Sequence, residues 1–351
     1  MDVFFWELKK TNHNQPLQLV AVEHDADALM DRNQNDYSGE IVVPLLRKQP
    51  EKPLYLPVLN AIEGSGSDRI KMPFEDWLFI KLYCKQTREE ELIAFEIADF
   101  YNQISDQYPV RHFFMRYRDP KPHIRLRFNG KAEVLYSLFP QLLNWLKSLR
   151  EKGLVSESVI TQYEREIERY GGLSLMEAAE QLFCEDSKVV EMMIRMHRMK
   201  DITISKEIAG MVSVIQFLEQ FELTFEEQLT FLERNSLQNE YRTEFKKDRE
   251  MYIEICNSDR DWDNLKKTSD GGMLYETLKT RKMAAAHYAF LIKKAFDNKD
   301  EVYSRIGSII HLHCNRLFGT DRELENKILT LCRHSLYAQR YQKINGSLAW
   351  K

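Results

Sequence analysis

The spacing of apolar residues changes along this chain, and that change limits the fold more than any other feature. Residues 123–128 read His-Ile-Arg-Leu-Arg-Phe, so three apolar side chains fall on one face of a strand. His123, Arg125 and Arg127 fall on the other face. From Glu133 onward, apolar residues recur mainly at helical spacing. Short β elements followed by many helices predict an α+β fold.

Helical spacing also precedes this strand, because Arg88–Gln103 has the pattern of an amphipathic helix. The later helices are predicted near residues 133–150, 156–170, 174–197, 203–219, 223–255, 272–297 and 301–318. Residues 1–60 contain only short β-branched runs, and residues 63–68 form a Gly/Ser-rich linker. We therefore expect a strand-rich segment with its linker over residues 1–66 and a second domain over residues 67–351.

Arg125 and Arg127 form the first candidate site. Phe113–Tyr117 is also strand-like, and Arg118–Pro122 has the composition of a turn, so a hairpin presenting a row of cations is predicted. Guanidinium groups two residues apart emerge side by side from a strand, an arrangement that suits the binding of carboxylates. The alternative is a solvated strand whose polar face is basic.

The second candidate site lies at the end of the helix predicted over residues 156–170. Glu166 and Arg169 are three residues apart and lie one helical turn from each other, and Gly171-Gly172 ends the helix. The buried stripe of this helix is predicted to contain Val159, Tyr163, Ile167 and Tyr170. The alternative interpretation of Glu166 and Arg169 is an ordinary surface ion pair.

The third candidate site lies on the helix predicted over residues 301–318. Its apolar stripe is expected to contain Val302, Ile306, Ile309, His313 and Leu317. Its polar stripe is expected to contain Ser304, Ser308, His311 and Asn315. His313 is therefore predicted to pack in the core, and His311 to be available for proton transfer. The H-x-H spacing does not suit a zinc site on a helix, so no metal site is expected.

Composition excludes several classes of protein. The 50 Lys and Arg residues against 54 Asp and Glu give a formal charge of −4, so direct binding of nucleic acid is not expected. Five scattered cysteines without a C-x-x-C pair indicate reduced thiols in the cytoplasm. No secretion signal or membrane span is expected, because the apolar runs are too short. Walker, G-x-S-x-G and H-E-x-x-H motifs are absent from the sequence.

Three further blocks accompany these sites in order. They are Trp77–Tyr83, Phe114-x-Arg116-Tyr117-x-Asp119-Pro120 and Ala179-Glu180-x-x-Phe183-x-x-Asp186-Ser187. Together, from about Trp77 to Gly319, the blocks and sites resemble the C-terminal elimination domain of class I lanthipeptide dehydratases and its relatives in thiopeptide biosynthesis. Residues 1–60 resemble the last part of the preceding glutamylation domain, most of which is expected to be missing.

The resemblance implies a specific reaction. In this family a Ser or Thr of a precursor peptide is esterified with glutamate, and the elimination domain removes the glutamate to leave dehydroalanine or dehydrobutyrine. It implies that Arg125 and Arg127 bind glutamyl carboxylate charge and that Arg169 assists the leaving group. Glu166 would hold the ammonium or orient Arg169, and His311 would transfer the proton. Substrate contacts are expected from Arg116 and Asn315.

The resemblance requires no metal or redox cofactor. Its implied partners are the glutamylated precursor peptide and a separate or fused glutamylation domain that depends on glutamyl-tRNA. Apolar surface on the N-terminal segment would favour a homodimer. Two other functions remain open from the sequence: a pyridine-forming cycloaddition as in thiopeptide biosynthesis, and a non-catalytic module of a split dehydratase that binds a peptide or partner.

Overall fold

The chain forms two compact units, Met1–Asn60 and Ala61–Lys351. The computed structural model describes residues 29–30, 36–37 and 66–348, with burial and side-chain contacts for residues 68–341. In the first unit, the short strands β1 (Leu29–Met30) and β2 (Asp36–Tyr37) pair antiparallel. The other predicted features of residues 1–60 lie outside the described residues. The domain boundary between residues 66 and 67 stays a prediction.

An antiparallel four-stranded sheet with the order β5-β6-β4-β7 carries most of the candidate site. Its strands are β4 (Trp77–Tyr83), β5 (Arg111–Tyr117), β6 (His123–Asn129) and β7 (Glu157–Thr161). A separate antiparallel pair joins β3 (Ile70–Lys71) to β8 (Tyr163–Glu164). The β5-β6 hairpin confirms the prediction from the alternating sequence. Its register pairs Arg127 with both Phe79 and Phe113, so these three side chains share a face.

The helices fill the rest of the second unit, which confirms the α+β class. They are α1 (Gly66–Arg69), α2 (Glu89–Glu91), α3 (Ala98–Ser105), α4 (Ala132–Glu151), α5 (Leu173–Met199), α6 (Lys206–Gln220), α7 (Phe225–Asn235), α8 (Arg242–Lys247), α9 (Arg249–Ile255), α10 (Asp259–Lys266), α11 (Gly271–Lys279), α12 (Lys282–Ala295), α13 (Lys299–Phe318) and α14 (Arg322–Leu348). The 3₁₀ turn Gln86–Arg88 and the π-helical segment Leu92–Ile97 complete the helical stretch over 86–105. Among the described helices, none is long and apolar enough to cross a membrane.

The prediction of a helix over residues 156–170 was wrong. Glu157–Thr161 is an edge strand, and Ile167–Tyr170 forms a 3₁₀ turn. The cause is a tertiary contact: β7 pairs with β4 and forms backbone hydrogen bonds with it. This pairing stabilises a strand although the local apolar spacing favours a helix. The predicted single helices over 223–255 and 272–297 are also divided, as α7 to α9 and as α11 and α12.

Both faces of the sheet are covered, which the sequence pattern did not predict. On one face, Phe128 contacts the Phe100 ring of α3. On the other, Tyr163 of β8 and Phe183 of α5 pack against Phe113. Since this second face also carries Arg127, the covering layer buries a cation that an exposed strand would have left in water.

Candidate functional site

Two adjoining cavities lie beside the end of strand β5, and Met115 and Tyr117 line both. The arginine cavity has a volume of about 50 Å³, and its polar lining includes Arg125, Arg127, Tyr163, Glu164, Glu166 and Tyr170. The histidine cavity has a volume of about 270 Å³, and its polar lining includes Arg116, Arg169, His311, Asn315, Arg322 and Glu325. The seven residues predicted from the sequence therefore lie around one composite site.

Arg127 is the most deeply buried cation of the arginine cavity, with 4% of its surface exposed. Its guanidinium carbon lies 4.1 Å from the Phe79 ring centroid and 4.5 Å from that of Tyr163. Its Nη1 contacts the Met115 sulfur at 3.6 Å, and its Nε has no hydrogen-bond partner among the described residues. Burial lowers the pKa of this guanidinium from its ordinary value. The aromatic rings only partly offset its desolvation.

Arg125 points along the same face but is only partly buried. Its guanidinium carbon lies 3.3 Å from the Tyr117 ring centroid, and its Nε donates to Nε2 of His123 at 3.3 Å. The other nitrogen of His123 lies 2.8 Å from the carbonyl oxygen of Lys121 and therefore carries the hydrogen. Neither Arg125 nor Arg127 forms an ion pair with a carboxylate among the described residues.

Glu166 and Arg169 connect the two cavities. Arg169 Nη1 donates to Oε2 of Glu166 at 2.8 Å, and each side chain lines a different cavity. Arg169 lies in the short 3₁₀ turn and Glu166 directly precedes it, so the pair is not on the predicted helix. Gly171 ends this turn with φ of +104°, and a Cβ there would lie 2.6 Å from a methyl carbon of Leu175. The local backbone that presents Arg169 therefore depends on glycine.

His311 projects from α13 into the histidine cavity, as its place on the polar stripe predicted. Its Nδ1 lies 2.9 Å from Oε2 and 3.0 Å from Oε1 of Glu325. The same nitrogen lies 2.7 Å from Nη1 of Arg322. No described residue hydrogen-bonds to its Nε2.

Arg116 and Asn315 join β5 to α13. The Arg116 backbone nitrogen donates to Oδ1 of Asn315 at 2.9 Å, and Nδ2 of Asn315 donates back to the Arg116 carbonyl oxygen at 2.9 Å. The buried Arg116 guanidinium lies 3.5 Å from a carboxylate oxygen of Glu89. Burial lowers the pKa of Arg116. Both polar atoms of the Asn315 amide thus bind the Arg116 backbone. The predicted contact between Asn315 and the substrate stays a prediction.

A buried polar cluster behind the cavities was not found from the sequence. Asp186 accepts hydrogen bonds from Arg281 at 2.8 Å, from Arg316 at 2.9 Å and from Nδ1 of His313 at 2.9 Å. Arg316 also donates to the carbonyl oxygen of Phe114 at 2.9 Å, which anchors β5. The predicted core position of His313 is confirmed, since none of its surface is exposed.

Glu325 and Arg322 were also not predicted from the sequence. Both lie on α14, beyond the last predicted helix, and no spacing pattern relates them to His311. The one available signal was a carboxylate and a guanidinium three residues apart at a helix start. Among the described residues, no group of three or more His, Cys, Asp and Glu side chains could hold a metal ion.

The composite site can bind an anion and transfer a proton. Guanidinium groups on two sides offer charge-assisted hydrogen bonds to carboxylates. Glu166 offers a negative charge between the cavities, which suits an ammonium group. The imidazole of His311 supplies a ring nitrogen that can accept a proton.

Comparison with known proteins identifies the family of this chain. Residues 77–336 match the family described as lantibiotic biosynthesis dehydratase C-term. The chain is 99% identical over all 351 residues to the subtilin biosynthesis protein SpaB of Bacillus subtilis. It is 26% identical over 98% of its length to the nisin biosynthesis protein NisB of Lactococcus lactis subsp. lactis. The chain spans 34% of the length of each of these relatives.

Two solved structures share the fold. The tRNA dependent lantibiotic dehydratase MibB from Microbispora sp. 107891 aligns with a TM-score of 0.72 and 22% identity, over 80% of this chain and 29% of that one. The pyridine synthase TbtD from thiomuracin biosynthesis aligns with a TM-score of 0.52 and 12% identity, over 75% of this chain and 98% of that one. At these identities the likeness concerns the fold alone. Because the family match extends over far more than half of the residues, the chain belongs to the C-terminal domain family of lantibiotic biosynthesis dehydratases.

Proposed function

We propose that this chain is a lyase that eliminates glutamate from glutamylated Ser or Thr residues of a precursor peptide. The product would be dehydroalanine or dehydrobutyrine. Family membership supports a role in dehydration during lantibiotic biosynthesis, and the charges around the two cavities support the elimination step in particular. The glutamylated peptide would be supplied by a separate or fused glutamylation domain.

The burial of Arg127 carries this proposal. A guanidinium removed from water without a carboxylate partner is unfavourable, because π contacts and a thioether replace little of its hydration. A carboxylate bound in the arginine cavity would supply the partner that the guanidinium group of Arg127 lacks. We therefore expect an anionic ligand to complete the site, and a glutamyl group brings one.

The remaining side chains fit the other parts of that substrate. Glu166 borders the arginine cavity, where it would pair with the glutamyl ammonium. Arg169 faces the histidine cavity and would stabilise the departing carboxylate. His311 would accept the α-proton of the esterified residue through Nε2.

These roles give a balanced elimination. The α-proton of the esterified Ser or Thr passes to His311, and its electron pair forms the double bond between Cα and Cβ. The bond between Cβ and the ester oxygen breaks, and the electrons of that bond leave with the carboxylate of glutamate. The proton on His311 then returns to solvent. Arg125 and Arg127 hold the glutamyl group while Arg169 faces the developing negative charge.

The test is incubation of the purified chain with a chemically glutamylated precursor peptide, followed by mass spectrometry. Release of free glutamate together with the dehydrated peptide supports elimination. Release of glutamate with recovery of the hydroxyl peptide indicates ester hydrolysis and contradicts the proposal. An unchanged glutamylated peptide also contradicts it and favours a non-catalytic binding module.

A parallel incubation with a peptide that already carries two dehydroalanine residues tests the pyridine-forming alternative. Loss of the leader segment together with ring formation would favour cycloaddition, for which the fold shared with TbtD is the supporting observation. We expect no change in this second peptide.

A further inference from the structure

The carboxylate of Glu325 contacts Nδ1 of His311, whereas no described residue hydrogen-bonds to Nε2 of the same ring. Both carboxylate oxygens lie within 3.0 Å of Nδ1. Glu325 is 8% exposed, although it lies in the first turn of α14, where side chains usually reach solvent. A carboxylate buried at this depth needs a hydrogen-bond donor.

Arg322 competes for the same ring nitrogen, and the two neighbours demand opposite protonation states. A guanidinium can only donate, so a contact between Arg322 and Nδ1 requires a bare Nδ1. An ionised carboxylate can only accept, so its contact with Nδ1 requires a hydrogen there. Arg322 also reaches both oxygens of Glu325, at 3.1 and 3.2 Å, and its side chain is two-thirds exposed. Water can satisfy Arg322, whereas Glu325 depends more strongly on His311.

We propose that Glu325 is a positioning residue that holds His311 in the tautomer with hydrogen on Nδ1. This inference rests on the proposed function, because it assigns how the base of the elimination is prepared. With Nδ1 protonated, the lone pair of a neutral imidazole is confined to Nε2, which no described residue occupies. Nε2 is then the atom that takes the α-proton from the esterified residue, and the carboxylate balances the imidazolium that forms.

Glu325 could instead serve only α14, since an acidic side chain in the first turn favours a helix. Glu323 provides the matched control, because it lies in the same first turn but is exposed and has no described contact with His311. A purely structural role of Glu325 would lower stability in Glu325→Ala but would leave the ring tautomer of His311 unchanged.

The first experiment reads the tautomer directly. Long-range ¹H–¹⁵N spectra of the full chain, assigned with His311→Gln, should show neutral His311 with hydrogen on Nδ1. In Glu325→Ala, Arg322 becomes the remaining neighbour of Nδ1, so the hydrogen should move to Nε2. Glu323→Ala should retain the wild-type spectrum. Hydrogen on Nε2 in the wild-type chain, or an unchanged tautomer in Glu325→Ala, overturns the proposal.

The second experiment measures glutamate release from the glutamylated peptide. Glu325→Ala should lower kcat on the order of 10- to 100-fold, with KM changed by less than about threefold. The reason is that His311 takes the wrong tautomer, while the contacts to the glutamyl group remain. The near-isosteric Glu325→Gln replaces the alanine variant if that variant fails to fold. It should likewise lower kcat and leave KM nearly unchanged. An unchanged kcat in a folded variant overturns the proposal.

The two readouts separate failure of this inference from failure of the proposed function. If the wild-type chain releases no glutamate, the elimination proposal fails, but the tautomer spectra still decide whether Glu325 controls His311. If the wild-type chain is active and Glu325→Ala retains both the tautomer and the rate, only the positioning role fails.

Discussion

Arg127 lies over the ring of Phe79, with 4.1 Å between its guanidinium carbon and the ring centroid. The two residues face each other across β6 and β4 in the sheet register. Buried arginines elsewhere in the described structure have carboxylates, as Arg281 and Arg316 have Asp186. Arg127 contacts aromatic rings and a thioether instead. Under the proposed function, a bound carboxylate supplies the charge partner that it lacks.

Replacing Arg127 with Met should separate stability from activity. Loss of the uncompensated buried charge offsets the lost cation–π contacts, so the free energy of unfolding should change by less than about 2 kcal/mol. Glutamate release should fall on the order of 100-fold or more, because a carboxylate contact is removed. Urea denaturation and a glutamate-release assay measure the two quantities.

Arg165→Met is the contrasting control. Arg165 donates two hydrogen bonds, at 2.8 and 2.7 Å, to Glu180, which is buried. Removing the guanidinium leaves that carboxylate without a cationic partner, so the free energy of unfolding should fall by about 3 kcal/mol. A comparable loss of stability in Arg127→Met would show that Arg127 is a structural cation and contradict its proposed role.

Glu166 and Arg169 should behave as a functional pair with little structural value. Both side chains are about a third to a half exposed, so breaking their ion pair should change stability by less than about 0.5 kcal/mol. Arg169→Ala should nevertheless leave glutamylated peptide in the reaction mixture. Thermal unfolding and mass spectrometry of the same preparation provide the test. Normal turnover by Arg169→Ala would remove this residue from the mechanism.

The two histidines of α13 should give opposite phenotypes. His311→Ala should fold normally and lose elimination, since this ring lines a cavity. His313→Ala should lose about 3 kcal/mol of stability, because it creates a cavity and deprives Asp186 of a donor. Circular dichroism during urea titration, with the mass assay, compares the variants. Full activity in His311→Ala would refute its assignment as the base.

His313 should also make stability depend on pH. Burial lowers its pKa in the folded chain, and Arg281 and Arg316 add to the effect, whereas the unfolded value is near 6.5. Below about pH 6.5 the unfolded chain binds a proton that the folded chain does not bind. The stability contribution is therefore present above the unfolded pKa and declines as the pH falls, by up to about 1.4 kcal/mol per pH unit.

His313→Asn isolates this contribution from those of other histidines. Urea unfolding is measured at about pH 7.5 and about pH 5.5. The free energy of unfolding should fall less between these two pH values in the variant than in the wild-type chain. Equal losses in both would mean that His313 is protonated in the folded state.

Local pattern was sufficient for some parts of this fold. Alternation over residues 123–128 predicted strand β6 because a strand places successive side chains on opposite faces whatever surrounds it. The stripe containing His313 was likewise predictable, since α13 is long and one face is consistently apolar. These features depend on near neighbours in the sequence.

Other parts required long-range information. The strand Glu157–Thr161 exists because β4 offers it a pairing edge, which the local sequence does not encode. The burial of Arg127 depends on Tyr163 and Phe183, which come from later elements. Glu325 reaches His311 because α14 begins beside α13, a matter of helix packing and not of spacing along one helix.

The decisive experiment on the elimination is single-turnover glutamate release from a peptide with deuterium at Cα of the glutamylated Ser residue. We expect the wild-type chain to release glutamate and the dehydrated peptide together, more slowly from the deuterated peptide, and Arg127→Met to suppress both products. Release of glutamate with the hydroxyl peptide, or no release at all, would contradict the proposed elimination.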